Sequence, residues 1–277
     1  MPILEQDPLY VFVTPYYKET RACLERCIAS VKQQTMRADH ILVADGFPQH
    51  WLDQNQIGVR HLRLDRAHGD YGNTPRGMGS LMAIAEGYKG IGFLDADCWL
   101  EPDHLEHCLA QTKEVGFEKC GFVATSRILR RPDESIINIA DESPTEHVDT
   151  SCLFLLPPSF SVLSVWMLMP REVSSICDRV FFHALRARNL ASALSFKKTV
   201  NYTYTYAPIY RQLGEIPPSP IKENPDYRAM AAWIDALPPN QLQLINQRLG
   251  ADLRLVYPLC RLVTLKLEIN YGKTQTT

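Results

Sequence analysis

Two aspartates, Asp95 and Asp97, follow the apolar run of residues 91–94, and their type and spacing fit the binding of a divalent cation. Side chains two positions apart on an extended strand point to the same side, so the two carboxylates are expected to face one place. Two like charges there need a counter-ion, and a hard divalent cation completed by water and phosphate oxygens would supply it. The structural alternative is that Asp95 ends a strand and Asp97 caps the helix expected over residues 102–115.

Polar residues also follow two earlier apolar runs, and we expect them to lie near the two aspartates. Residues 9–13 and 40–44 are short, apolar and bounded by turn residues, so each is predicted to be a buried strand. In an open parallel sheet, ligands bind in the crevice beyond the carboxyl ends of the strands. The polar and aromatic residues at these two ends include Thr14, Pro15, Tyr16, Glu19 and Asp45.

The elements that must position these residues alternate between strand and helix in the first half of the chain. The pattern predicts strands over 9–13, 40–44, 59–64 and 91–94, and helices over 18–33, 74–88 and 102–115. Near-continuous apolar strands that alternate with helices favour a parallel sheet covered on both faces.

The second half has a different pattern, typical of mixed sheet. It predicts strands over 121–128, 160–169 and 195–206, helices over 172–188, 226–236 and 240–249, and an alternating strand over 263–269. The proline-rich segment 214–225 is expected to run over the surface. We therefore expect an α/β fold with a mixed, mostly parallel central sheet flanked by helices.

Composition excludes several classes of protein. The chain has 277 residues, 45% hydrophobic and 22% charged, which is far from the range of disordered chains. Its 29 Lys and Arg against 31 Asp and Glu are too balanced for a surface that binds nucleic acid. No apolar run approaches the roughly 18 residues that span a bilayer, and no secretory signal is visible, so a cytoplasmic location is expected. The eight cysteines are scattered and are expected to be mostly free thiols.

Taken together, the motifs resemble the family 2 glycosyltransferases of GT-A fold. The resemblance rests on Thr-Pro-Tyr-Tyr-Lys-Glu at 14–19, the helical segment 24–35, Asp-Gly at 45–46 and Phe-Leu-Asp-Ala-Asp at 93–97. It is close over residues 9–100 and looser over 150–205. It implies a GT-A nucleotide-diphospho-sugar transferase fold and a hexosyltransferase activity that uses a UDP- or GDP-sugar, with a saccharide, lipid or protein as acceptor.

The resemblance also divides the chain into three parts. Residues 1–120 would be the nucleotide-sugar-binding half, residues 121–212 the acceptor-side half of the same domain, and residues 213–277 a C-terminal extension of helices and a strand. The apolar content of residues 253–269 suggests that the extension docks on the domain or forms a homodimer, in preference to a membrane surface.

Roles for individual residues follow from the same resemblance. It implies that the nucleotide is bordered by Thr14, Pro15, Tyr16 and Glu19. Asp45 would accept a hydrogen bond from the base, which a carboxylate can do for the imide N–H of uracil, and a tyrosine offers a flat apolar face to a base. The structural alternatives are a turn aspartate for Asp45, a core tyrosine for Tyr16 and a helix N-terminal acid for Glu19.

The donor sugar and its diphosphate would lie at the two aspartates. The resemblance implies that Asp95 and Ala96 face the ribose and the sugar, while Asp97, with Asp95, ligates a Mn²⁺ or Mg²⁺ ion that bridges the diphosphate. Arg76 is a candidate phosphate contact, because a guanidinium offers paired donors and the helix that begins nearby adds a favourable partial charge. The alternative for Arg76 is a solvated side chain beside a glycine-rich loop.

The reaction needs a base for the acceptor hydroxyl, and the resemblance points to Asp178 at the start of a helix. The implied reaction inverts the anomeric centre, with Asp178 taking the proton. The family often has Glu-Asp at this point, whereas Asp178 here has no acid before it. The alternatives are that Asp178 caps the helix or pairs with Arg179 or Arg188.

Several further side chains have two readings. Trp99 and Trp166 could stack on a sugar or pack in the core, and three alternating tyrosines could line the acceptor groove or pack: Tyr202, Tyr204 and Tyr206. His183 stands among apolar residues, where packing is the more common role than metal ligation. The competing functions are a nucleotidyltransferase of related fold and a non-catalytic module that binds nucleotide sugars.

Overall fold

The computed structural model describes residues 9–256, apart from 140, 142 and 220. Eight strands form one sheet: Tyr10–Tyr16 (β1), Asp39–Asp45 (β2), Arg60–Leu64 (β3), Gly90–Phe93 (β4), Trp99–Leu100 (β5), Cys120–Arg130 (β6), Leu153–Leu155 (β7) and Ala191–Thr203 (β8). Their spatial order is β3-β2-β1-β4-β7-β6-β8-β5. The sheet is mixed and mostly parallel, as the sequence pattern predicts.

Among the described residues, eight α-helices flank the sheet: Arg21–Lys32 (α1), Asn73–Ala85 (α2), His104–Val115 (α3), Val165–Leu168 (α4), Cys177–Ala187 (α5), Ala207–Gln212 (α6), Tyr227–Ala236 (α7) and Pro239–Leu249 (α8). Short 3₁₀ turns cover His50–Asp53, Asn55–Ile57, Thr150–Cys152, Pro157–Val162 and Arg171–Ile176. Within the described residues, no helix is long and apolar enough to cross a membrane.

The register of the parallel strands brings three chain segments to one edge of the sheet. Tyr16 at the end of β1 lies opposite Ala44 near the end of β2. Phe93 at the end of β4 lies opposite Val13 of β1, so the segment with the two aspartates emerges at the same edge.

The neighbour of β4 on its other side runs in the opposite direction. β7 pairs antiparallel with both β4 and β6. The residues that precede β7 therefore reach the edge at which β1, β2 and β4 end, and the crevice draws on both halves of the chain.

Local sequence explains how α2 is held at this edge. The Asp70 carboxylate accepts hydrogen bonds from the backbone and the hydroxyl of Thr74 at distances of 2.9 and 2.6 Å, which caps the first turn. A Cβ at Gly79 would lie 2.5 Å from a Val13 methyl carbon, so the glycine allows α2 to pack closely on β1.

The core lies on both faces of the sheet and is continuous across the two halves. Trp166 is fully buried and stacks on Phe181 with ring centroids 4.1 Å apart, and Phe93 meets both rings edge-on. Leu253 and Val256 are also buried in this core. The first residues of the apolar segment 253–269 therefore pack on the domain.

The prediction of a strand over residues 160–169 is wrong. These residues belong to the 3₁₀ turn Pro157–Val162 and to α4. A short apolar run fits a buried helix as well as a buried strand, and Pro157 and Pro158 favour the start of a helical turn. The strand predicted over 263–269 lies outside the described residues.

Candidate active site

The segment with the two aspartates is held from both sides at the end of β4. The Asp95 backbone N–H donates to the Ser151 hydroxyl at 3.1 Å. The Asp97 carbonyl accepts from the Thr203 hydroxyl at 2.5 Å and from the Arg26 guanidinium at 3.0 Å. Three elements distant in sequence thus fix the backbone that carries the two carboxylates.

The Asp97 carboxylate lies where burial disfavours its charged form. Burial raises the pKa of Asp97 to about 6, and the Asp95 charge adds to the rise, while Lys222 opposes it. Ala96 between them is buried. A carboxylate whose charged form is disfavoured in this way gains most from a bound cation.

Arg76 stands beside Asp95 in the first turn of α2. Its side chain is buried, and its guanidinium pairs with the Asp95 carboxylate and donates to the Tyr71 carbonyl at 2.8 Å. Burial alone lowers the pKa of Arg76, but the charge and hydrogen bond of Asp95 together with other nearby negative groups outweigh it, and the net shift is upward. Arg76 is therefore a fixed cation in the crevice, and the solvated alternative is excluded.

The residues at the end of β1 form the wall of the crevice. Thr14 is buried with its hydroxyl 2.8 Å from a His40 ring nitrogen, and Pro15 packs beside the loop before α2. Tyr16 is buried too: its hydroxyl lies 2.7 Å from His61 and accepts from the Gln49 backbone at 2.9 Å. Burial raises the pKa of Tyr16 to about 12, which keeps the hydroxyl protonated.

Two exposed aromatic rings lie at the same edge, and the sequence reasoning did not select them. Tyr17 follows β1 and Phe47 follows β2, and their rings meet edge to face with centroids 4.8 Å apart. The Lys18 ammonium lies 4.2 Å from the Phe47 centroid. The Glu19 carboxylate points toward the preceding backbone, where it accepts a hydrogen bond from the Tyr17 N–H at 2.6 Å.

Asp45 ends β2 with its carboxylate largely buried. Its Oδ1 lies 2.7 Å from the His68 ring and 3.0 Å from the His68 backbone nitrogen, which is 3.1 Å from Oδ2. A carboxylate has about four acceptor positions, so Asp45 retains capacity for a further donor.

Asp178 lies in the first turn of α5 and faces a histidine. Its Oδ2 is 3.2 Å from the His147 Nε2, and its Oδ1 accepts from the Arg179 backbone at 2.8 Å. Burial by itself raises the pKa of Asp178, but His147 and Arg179 outweigh it and lower the pKa to about 2. The side chain remains partly exposed, at 28%.

Asp149 is a further acidic residue of the crevice that sequence reasoning missed. It accepts from the Ser151 backbone at 2.9 Å, and its carboxylate lies 3.4 Å from Arg127. Burial raises its pKa to about 6 despite Arg127, and the Asp95 and Asp178 charges add to the rise. Asp149 therefore lies close enough to both carboxylates for their charges to interact.

The other aromatic candidates are largely engaged within the protein. Arg26 lies over the Trp99 ring at 4.0 Å, and Trp166 is core. The three tyrosines after residue 201 form a row of edge-to-face contacts, with Arg127 over Tyr202 and the Lys222 ammonium 5.9 Å from the Tyr206 centroid. His183 lies on α5 beside a cavity next to α8 and away from the two aspartates.

Among the described residues, no cluster of three or more His, Cys, Asp or Glu could hold a metal ion by itself. Asp95 and Asp97 have the oxygen donors that Mn²⁺ and Mg²⁺ prefer, and Asp97 has the desolvated charge that a cation would relieve. A metal at this point would need most of its ligands from water and from a bound phosphate.

Three comparisons with known proteins bear on this geometry. Residues 11–128 match the sequence model of the family described as "Glycosyl transferase family 2". No curated protein matches the chain. Many solved structures share its fold.

The chain is similar to S. aureus TarS 1-349 in complex with UDP and in complex with UDP-GlcNAc, each at 15% identity and a TM-score of 0.53. These matches cover 87% of this chain and 69% and 70% of the other chains. It is also similar to the mannosyltransferase PcManGT from Pyrobaculum calidifontis in complex with GDP-Man and Mn²⁺, at 10% identity and a TM-score of 0.51, over 91% of this chain and 72% of that one.

Proposed function

Because the chain carries a glycosyltransferase family 2 domain with the GT-A fold, we propose that its crevice moves a sugar from a UDP- or GDP-sugar to an acceptor hydroxyl, with inversion and with Asp178 as the base. Transfer of a sugar from a nucleotide-sugar donor is the activity of the family. Our proposal adds three details to this activity: the nucleobase of the donor, the divalent metal, and Asp178 as the general base.

The base of the nucleotide is proposed to bind where β1 and β2 end. Tyr17 and Phe47 offer exposed ring surface there, and Asp45 has acceptor capacity for an imide N–H. Thr14, Pro15, Tyr16 and Glu19 would shape and support this wall through the hydrogen bonds described above.

The diphosphate and the sugar are proposed to bind at the aspartates. Asp97 and Asp95 would hold Mn²⁺ or Mg²⁺, which when bound would neutralise the charge of the diphosphate leaving group. The Arg76 guanidinium would contribute positive charge near the phosphates while it stays paired with Asp95. Ala96 would leave room for the ribose and the donor sugar.

The observation that carries the proposal is the contrast between two carboxylates in one crevice. Asp97 has a pKa raised to about 6, whereas the pKa of Asp178 is lowered to about 2. Asp178 is therefore ionised at neutral pH, which is the state that a base needs, and its partial exposure leaves the carboxylate accessible to an acceptor hydroxyl. The bond from the acceptor oxygen to the anomeric carbon forms while the bond from that carbon to the phosphate oxygen breaks.

Replacement of the base tests the proposal directly. Asp178→Asn should lower turnover by about 10²- to 10⁴-fold, the range that general base catalysis contributes, while donor binding stays intact. The control is Asp235→Asn on the exposed side of α7, which should have normal turnover. A fully active Asp178→Asn variant would contradict the proposed mechanism and would favour another base.

The two competing functions give different results in the same assay. A nucleotidyltransferase would release or consume pyrophosphate, and it normally has a glycine-rich loop with a basic residue after the first strand, where this chain has Thr14-Pro15-Tyr16-Tyr17. A non-catalytic module would bind the donor with no transfer, and Asp178→Asn would then change nothing.

A further inference from the structure

Lys222 is held above the crevice by the segment between α6 and α7. Its backbone N–H donates to the Thr205 carbonyl at 2.8 Å, and the Ala207 N–H donates to the Lys222 carbonyl at 2.8 Å. These bonds form a single parallel bridge with Tyr206. The backbone of Lys222 is therefore attached to the chain that leaves β8, and its position is defined.

The ammonium of Lys222 lies near the Tyr206 ring and close enough to Asp97 for its charge to act there. It is 5.9 Å from the Tyr206 ring centroid, and Tyr206 in turn is near enough to Asp178 for the charge of that carboxylate to act on the tyrosine hydroxyl. The ammonium thus reaches toward the carboxylates proposed to hold the metal and the acceptor proton.

Lys222 differs from three arginines around the crevice in having no acidic partner. Arg76 pairs with Asp95, and Arg127 pairs with Asp141 and Asp149. Arg26 pairs with Glu134. In the part of the chain that the structure describes, no carboxylate forms an ion pair with Lys222, and its side chain is exposed.

The crevice needs such a charge when a donor binds. Four aspartates already lie around it: Asp95, Asp97, Asp149 and Asp178. A diphosphate would add further negative charge, and the three guanidinium groups named above are already paired with carboxylates. An unpaired ammonium at the mouth of the crevice is the group that can respond to the phosphate.

We propose that Lys222 binds the diphosphate of the donor and stabilises the nucleoside diphosphate as it leaves. This inference rests on the proposed function and adds a binding residue from outside the family match, which ends at residue 128. As the bond between the anomeric carbon and the phosphate oxygen breaks, its electron pair stays on that oxygen. Lys222 remains protonated and pairs with the charge that develops there.

Calorimetric titration of UDP, GDP, uridine and guanosine tests the role of Lys222. The unaltered protein is expected to bind either UDP or GDP. Lys222→Met should lower the affinity for that nucleoside diphosphate by about tenfold, because a charge-assisted hydrogen bond is lost. Binding of the matching nucleoside should not change, since it has no phosphate. Lys222→Arg should restore most of the affinity, and Lys198→Met, which removes an exposed lysine from β8, should match the unaltered protein.

The possible results separate the two proposals. If the unaltered protein binds UDP or GDP and Lys222→Met binds it equally well, the inference about Lys222 is overturned while the proposed function stands. If the unaltered protein binds neither diphosphate, the proposed function fails and the role of Lys222 fails with it. Equal losses for the diphosphate and the nucleoside would also overturn the inference, because they would indicate a structural effect.

Discussion

Neighbouring groups, more than residue type, set the behaviour of the acids in the crevice. Asp178 and Asp97 are both desolvated, but His147 and Arg179 oppose the effect at Asp178 while Asp95 adds to it at Asp97. As a result, the Asp178 carboxylate stays ionised, whereas the charged form of Asp97 would be stabilised by a bound cation. Different environments for like residues are a common basis for separate roles in catalysis.

His147 is expected to be a positioning residue that acts through Asp178. Because the pKa of Asp178 is lowered to about 2, this base should stay ionised in the folded, unaltered protein at every pH above about 4. His147→Asn removes the group that contributes most to lowering this pKa and leaves the burial that raises it. The pKa of Asp178 should therefore rise, and the acid limb of kcat/KM, measured at saturating Mn²⁺ so that Asp97 stays ionised, should move to higher pH.

The measurement is the pH profile of kcat/KM for the unaltered protein and for His147→Asn. His50→Asn, which removes a histidine that is 80% exposed, is the matched control and should leave the profile unchanged. An acid limb at the same pH in His147→Asn and in the unaltered protein would contradict the coupling of His147 to the base.

Single residues also show the limit of sequence reasoning. The sequence pointed to Tyr16 as a nucleotide contact, but Tyr16 is the last residue of β1 and is buried, whereas Tyr17 beyond it is 42% exposed. The side of a strand on which a residue lies changes with each position, so an error of one residue exchanges core and surface. Whether Tyr16 still touches a nucleotide stays a prediction.

At the scale of elements, the parallel strands β1, β2 and β4 were predictable, whereas the antiparallel strand β7 was not. Strands β1, β2 and β4 follow from apolar runs, and their carboxyl ends gather Asp45, Asp95 and Asp97. Asp149 precedes its strand, and it joins the others because β7 runs antiparallel to β4. The sequence alone does not give the direction of a three-residue strand, so Asp149 had no signal of its own.

The close packing of α2 on β1 should be sensitive to a single methyl group. Gly79→Ala places a Cβ 2.5 Å from a Val13 methyl carbon and 3.0 Å from a Val43 methyl carbon, and β-branched side chains in a strand have little freedom to move. We expect the free energy of unfolding to fall by about 1–3 kcal/mol, the usual cost of overpacking.

Urea denaturation of Gly79→Ala measures this cost. Leu81→Ala on the exposed side of α2 is the control, and its free energy of unfolding should change by no more than about 0.5 kcal/mol. If Gly79→Ala is as stable as the unaltered protein, α2 can move away from the sheet at little cost, and the helix would not be a rigid support for Arg76.

At the scale of the whole molecule, the crevice lies where the ends of the parallel strands β1, β2 and β4 meet the start of the antiparallel strand β7. Under the proposed function, β1, β2 and β4 would supply the nucleotide side, and α5 and the residues before β7 would supply the acceptor side. The division into a nucleotide half and an acceptor half stays a prediction. The sequence predicted less of the second half, because His147, Asp149 and Lys222 stand in irregular segments without a periodic pattern.

Metal binding is expected to depend on bound nucleotide, because the protein by itself supplies few metal ligands. Within the described residues there is no set of three metal ligands, and Asp95 already pairs with Arg76. A cation should therefore bind weakly to the protein alone and more tightly when a diphosphate supplies further oxygens. By reciprocity, the cation should strengthen binding of the nucleotide by the same factor.

The most direct test of the account is calorimetric titration of UDP and GDP into the unaltered protein with and without Mn²⁺. We predict that one of the two diphosphates binds and that Mn²⁺ strengthens its binding by tenfold or more, about 1.4 kcal/mol. Asp97→Ala should lose this dependence on Mn²⁺ while it unfolds at the same temperature as the unaltered protein. Nucleotide binding that is equal with and without Mn²⁺ would contradict the metal site, and binding of neither diphosphate would contradict the assignment of this crevice to a nucleotide-sugar donor.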